Sequence, residues 1–106
     1  MLTPADIAEY GERHVESWLT SQGYRCHCSK PHHGVSDIEA RGEESNLFVH
    51  VVTVRGSHPF PDLTTGDRGR VVTRAMALDC DAWLAQVRID GDGQLAEEVG
   101  WAQLNH

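Results

Sequence analysis

Lysine is almost missing from this chain: Lys30 stands alone against eight arginines in 106 residues. With 16 acidic residues the net charge is −7, which disfavours indiscriminate binding to phosphate backbones. Cysteine is scarce too. Three cysteines are too few, and an odd number, for a disulfide framework, and Cys26 and Cys28 sit two apart on a predicted strand, where they cannot readily bond to each other. That usage points to a reducing cytoplasm. No apolar run approaches the roughly 20 residues of a membrane span, so no membrane partner is expected. The start, Met1-Leu-Thr-Pro-Ala-Asp6, has neither the basic residues nor the apolar core of a signal peptide. Phosphate-binding glycine loops, a nucleophile elbow and a His-Glu-x-x-His pair are all absent. Asp90-Gly-Asp-Gly93 begins like a calcium loop, but Gln94 and the missing distal glutamate break the pattern, which leaves a hairpin turn. There is no repeat and no low-complexity segment. The length suits one domain over residues 1–106, with 40% apolar residues to fill a core.

What is present has clear periodicity. Thr3-Pro4-Ala5-Asp6 combines a cap, a first-turn proline and a capping-box acid, so a helix is predicted from Pro4 to about Gln22, stopping at Gly23. Ile7, Gly11, Val15, Trp18 and Leu19 recur at helical spacing and form its inward stripe. Glu12 falls at the edge of that stripe, where a carboxylate costs several kcal/mol unless it is paired, metal-bound or able to reach water. Tyr24 to Cys28 reads as a short strand, and Ser29 to Gly34 as a loop. Val35 to Arg41 alternates, with Ile38 and Ala40 on one face and Asp37 and Glu39 on the other. Leu47 to Val54 is nearly all apolar or β-branched, as expected of a central strand covered on both faces, and Phe48, His50, Val52 and Val54 share one of them. A second helix is predicted over about Thr65–Leu78, then a strand from Ala82 to Ile89 and a closing strand from Gln94 to about Ala102. The resulting class is α/β, in the order α-β-β-β-α-β-β, with a central mixed sheet flanked by helices.

Two local compositions carry chemistry. Residues 55–74 hold Arg55, Arg68, Arg70 and Arg74 against Asp62 and Asp67, between acidic flanks. That excess is either a phosphate footprint or a solvated face. Cys26-x-Cys28 followed by His32-His33 offers zinc-type ligands, though not at a standard structural spacing. Trp18, Trp83 and Trp101 lie on periodic elements and are expected in the core rather than as stacking platforms.

Tyr10-Gly-Glu12, Leu19 before Gly23-Tyr24, Gly34-Val-Ser-Asp37-Ile-Glu-Ala40 and Phe48-Val-His-Val-Val-Thr53 occur in an order and at spacings that together resemble the PD-(D/E)XK, or restriction-endonuclease-like, superfamily. Within it the chain is most similar to archaeal Holliday-junction resolvases and related small predicted endonucleases. The resemblance covers residues 10–55 well and 64–101 more loosely. It implies that Glu12 and Asp37 bind a divalent metal, Mg²⁺ or Mn²⁺. It also implies that positions 50 and 52 should supply a glutamate ligand and a lysine. Here they are His50 and Val52.

Phosphodiester hydrolysis needs a cation to polarise the phosphate and activate water. Imidazole in place of carboxylate removes a charge and favours softer metals than Mg²⁺. Valine supplies neither proton nor charge, and losing one electrostatic stabiliser costs about 10²–10³ in rate. The leading expectation is therefore a nuclease-fold protein with a degenerate site, acting as a DNA-binding or interaction module. The DNA contacts would come from Lys30, Arg55, Arg68, Arg70 and Arg74. An active endonuclease would use Glu12, Asp37, Glu39 and His50, with Glu12, Asp37 and His50 on the metal and Glu39 or Lys30 taking over a missing role. A protein–protein scaffold with no nucleic-acid role fits the acidic total. The resemblance also implies a homodimer.

Overall fold

Thr3 starts the first helix as its sequence requires. Its hydroxyl accepts from the Asp6 backbone N–H, while the Asp6 carboxylate accepts from the Thr3 N–H. Helix α1 runs Pro4–Ser21, and the chain leaves it through Gly23 at a φ of 96°. The computed structural model describes residues 2–29 and 35–105. After α1 come β1 (Arg25–Cys28), β2 (Val35–Arg41), β3 (Asn46–Arg55), α2 (Thr65–Ala77), β4 (Asp81–Ile89) and β5 (Gly100–Gln103). The five strands form one mixed sheet in chain order. Every neighbouring pair is antiparallel except β3 and β4, which are parallel. A parallel step cannot be closed by a tight turn, and α2 is the crossover that makes it.

Strand alternation gives the two faces of the sheet different covers. Val15 and Leu19 of α1 pack with Ile38, Ala40, Val49 and Val51. Val71 and Ala75 of α2 pack with Phe48 and Ala82 on the other face. The central strand β3 is buried from Phe48 through Val54, as a strand covered on both sides must be. At Gly11 α1 lies close against the sheet: a Cβ there would meet Thr53 Oγ1 at 1.7 Å. The far end of the sheet is also pinned to α1. His14 Nε2 lies 2.7 Å from the Gly93 carbonyl, and the Tyr10 ring covers Gly93. No helix among the described residues is long and apolar enough to cross a membrane.

Two expectations need correcting. The closing strand is only Gly100–Gln103, reached after an isolated bridge between Ile89 and Leu95. From that bridge, where the Ala96 N–H donates to the Arg88 carbonyl, to the Gln86–Gly100 pair the second strand takes five steps and β4 takes three, so residues 97–99 bow out of the ladder. Arg88 holds the bow by donating to Glu97 at 2.6 Å. Trp18 is not core: it is 49% exposed. The buried line of α1 is Ala8, Gly11, Val15 and Leu19, and Trp18 projects beside it. Its ring rests on Trp101 at a centroid distance of 5.2 Å, with Trp83 edge-on to Trp101 at 6.4 Å.

Candidate functional site

The hairpin joining β2 and β3 sets Asp37 directly opposite His50. Both side chains therefore leave the same face of the sheet, the one covered by α2. His50 Nδ1 donates to Asp37 Oδ1 at 2.8 Å, because an ionised carboxylate has no proton to give. The imidazole is 4% exposed. Its Nδ1 is taken up by Asp37, and little of the ring is open to solvent. The second carboxylate oxygen, Oδ2, faces Arg70 Nη1 of α2 at 3.8 Å. Two residues along β2, Glu39 shares the face and accepts from Arg41 Nε at 2.7 Å. Val52 is buried beyond His50 and adds only apolar surface.

Glu12 does not join this group. The apolar stripe of α1 packs on the Ile38–Ala40 face of β2, so a residue at the edge of that stripe looks at Ser36 rather than Asp37. Its neighbours there are Ser36 and the Cys28 thiol. Burial raises the Glu12 carboxyl above its ordinary value of 4.5. The Ser36 hydroxyl opposes that shift, and the charges of Glu16 and Glu9 add to it. Glu12 Oε2, Ser36 Oγ and Thr53 Oγ1 are all buried without a hydrogen bond of normal geometry.

The expected ligand set of Glu12, Asp37 and His50 is thus divided by the sheet. Only Asp37 and His50 meet, and they use each other. Among the described residues, no group of three or more His, Cys, Asp or Glu side chains is placed to hold a metal ion. The donors do not fit Mg²⁺ or Mn²⁺, which want several oxygens around one point. Glu39 is paired with Arg41. Of the zinc-type ligands, Cys26 and Cys28 lie on β1. The exposed Cys28 thiol donates to Glu16 Oε2 at 3.2 Å. Lys30, His32 and His33 lie outside the described residues.

The arginines separate as well. Val71 and Ala75 are the buried line of α2, so Arg70 and Arg74 overhang β1 and β2 while Arg68 overhangs the other side. Arg68 Nη2 donates to the Leu104 carbonyl at 2.9 Å, tying down the C-terminal segment. Arg55 ends β3 and by alternation falls on the α1 side, with Val49 and Val51. Arg70 and Arg74 alone border a groove of about 410 Å³, opposite His27 of β1, with Asp37, Glu39 and Phe48 along its floor. His27 and Arg41 were not singled out by sequence. The available signal was alternation: His27 lies across from Glu39 in the β1–β2 ladder, and Arg41 follows Glu39 by two on the same face.

The isolation of Glu12 has a measurable consequence. Its folded-state pKa is raised, so as pH climbs past 4.5 the unfolded chain loses this proton first. The stability present below the unfolded value is lost as pH rises through the folded one, and it stays lost above. Glu12→Gln is expected to raise stability at neutral pH by about 1 kcal/mol, a Tm gain of roughly 4–8 °C. Below about pH 4 the gain should vanish, since both states then carry the proton. Melting curves across that range check it; equal gains at every pH would contradict the burial account.

No family model matches the chain, and no curated protein matches it.

Proposed function

We propose that this protein keeps a restriction-endonuclease-like arrangement without its hydrolytic centre, and acts as a DNA-binding or interaction module through the Arg70–Arg74 side of α2. The element order, the mixed sheet and the parallel β3–α2–β4 crossover support the kinship. One observation carries the functional reading: Asp37 is bonded to His50 and faces Arg70, while Glu12 sits across the sheet. A carboxylate engaged by His50 in this way faces a cation-bearing helix and is not free to gather a metal with Glu12. The arginine pair is the local exception in an acidic chain, and a guanidinium suits phosphate oxygens by charge and by geometry.

The test is incubation with duplex, nicked and branched DNA in Mg²⁺ or Mn²⁺, alongside fluorescence-anisotropy binding at graded salt. The expected result is binding that weakens with salt, no cleavage above the metal-only control, and about a 5–10-fold loss of affinity for Arg74→Ala. Cleavage abolished by Asp37→Ala would restore the endonuclease. Absence of binding at low salt would leave the protein–protein scaffold, which the net charge of −7 favours. The homodimer implied by the resemblance belongs to the same proposal, and sedimentation of the protein used in the binding assay reads it directly.

A further inference from the structure

The groove between α2 and the β1–β2 edge has a charge arrangement of its own. Its two carboxylates are each served by a partner other than Arg74. Asp37 accepts from His50 at 2.8 Å, and Glu39 accepts from Arg41 at 2.7 Å. Arg70 lies 3.8 Å from Asp37 Oδ2, beyond hydrogen-bond reach, with its side chain 55% exposed. Arg74 stands one helical turn further along the same wall and forms no ion pair among the described residues. Two guanidiniums therefore border one concavity with donors to spare, and His27 adds an imidazole from the facing wall. Phe48 and Leu78 give the groove an apolar side.

We propose that this groove captures a terminal phosphate: the phosphomonoester end of a nucleic-acid strand, seated between Arg70 and Arg74. The inference rests on the nucleic-acid reading above and narrows it. Size comes first, because about 410 Å³ is room enough for the phosphorylated end of one nucleotide. Charge is the second argument. An internal phosphodiester carries one negative charge, whereas a monoester carries about −1.5 to −2 at neutral pH and three acceptor oxygens. Two guanidiniums one turn apart gain most from the second kind of group. The third argument is the rest of the surface. A net charge of −7 repels a backbone laid along it, and a strand end needs only one favourable point of contact. The bound phosphate takes hydrogen bonds from Arg70 and Arg74 and leaves the Asp37–His50 pair intact.

The experiment compares a short single strand bearing a 5′-phosphate with the same strand ending in a 5′-hydroxyl, by anisotropy with the full chain and no added metal. The phosphorylated strand is expected to bind about tenfold tighter, the worth of one extra charge-assisted hydrogen bond. Arg70→Ala and Arg74→Ala should each erase that preference, while Arg13→Ala on α1 leaves it. Circular dichroism confirms that each variant is folded, and Arg74→Lys, which keeps a cation, should retain part of the preference. Equal binding of both strands overturns the terminal-phosphate proposal and leaves the DNA-binding reading standing. Binding of neither strand overturns the terminal-phosphate proposal, and the duplex, nicked and branched substrates then decide the DNA-binding reading separately. Capture of inorganic phosphate or a phosphorylated peptide, without the oligonucleotide, overturns the strand-end assignment.

Discussion

Replacing Gly11 by alanine is expected to cost about 3 kcal/mol, a fall in Tm on the order of 10–20 °C. Two effects oppose each other at this position. Alanine is the better helix former by about 1 kcal/mol, and Gly11 sits in the interior of α1. Against this, the new Cβ would lie 1.7 Å from Thr53 Oγ1, 2.7 Å from Thr53 Cβ and 2.9 Å from Thr53 Cγ2. No side-chain rotation clears a contact with Cβ itself, so α1 must lift from the sheet. Lifting it loosens Val15 and Leu19 from the cluster they share with Ile38, Val49 and Val51. Steric cost therefore wins. Thr53→Ala in the same chain removes the two outer atoms but leaves the Cβ contact, so the double variant should recover only part of the loss, with a coupling of about 1 kcal/mol or more. Urea denaturation reads both values. A neutral or stabilising Gly11→Ala would mean that α1 does not approach β3 as described.

His50→Ala is expected to cost about 2–3 kcal/mol, although a histidine on a central strand looks like an awkward residue to bury. The substitution opens a cavity at a 4%-exposed position and takes the donor from Asp37. Arg70 then remains as the facing charge, at 3.8 Å and largely solvated, and it offsets little. His50→Asn keeps a side-chain donor and should cost less. Asp37→Asn, which retains the shape of the pair while removing its charge, should cost less than His50→Ala as well. The midpoint in urea, at constant slope, measures the order. If His50→Ala were harmless, the histidine would have no structural role and would again be a candidate for chemistry.

The architecture was legible because each element obeyed its own period. The capping box of Thr3 and Asp6, the apolar run of β3 and the alternation of β2 placed α1, β2 and β3 within a residue or two. The closing strand is shorter than its sequence suggests because Leu95-Ala-Glu-Glu-Val99 alternates no better as a strand than as an irregular bow, and nothing local shows that residues 97–99 leave the ladder. Trp18 was misread because it follows the α1 stripe by spacing yet lies over the short edge strand β5, where too little sheet remains to cover it.

The site divides along similar lines. The pairing of Asp37 with His50 follows from the hairpin once its turn at residues 42–45 is placed. The separation of Glu12 from Asp37 was also within reach. An apolar helix stripe settles on the apolar face of its neighbouring strand, here Ile38 and Ala40, and alternation then turns Asp37 away from it. The resemblance implies that the two acids meet, whereas alternation places them on opposite sides of the sheet. Which arginines of α2 face the groove depends on how the helix sits across the sheet, and Arg68 reaching Leu104 is a tertiary contact that no local pattern announces.

The separation of the two carboxylates by the sheet is tested most directly by titrating Mn²⁺ into ¹⁵N-labelled protein and following paramagnetic broadening of the Glu12 and Asp37 amides. The structure predicts no saturable site whose broadening centres on both residues together, because their side chains leave the sheet region on different faces. A single saturable site broadening Glu12, Asp37 and His50 alike, and lost in Asp37→Asn, would contradict the account and return these residues to a metal-dependent nuclease.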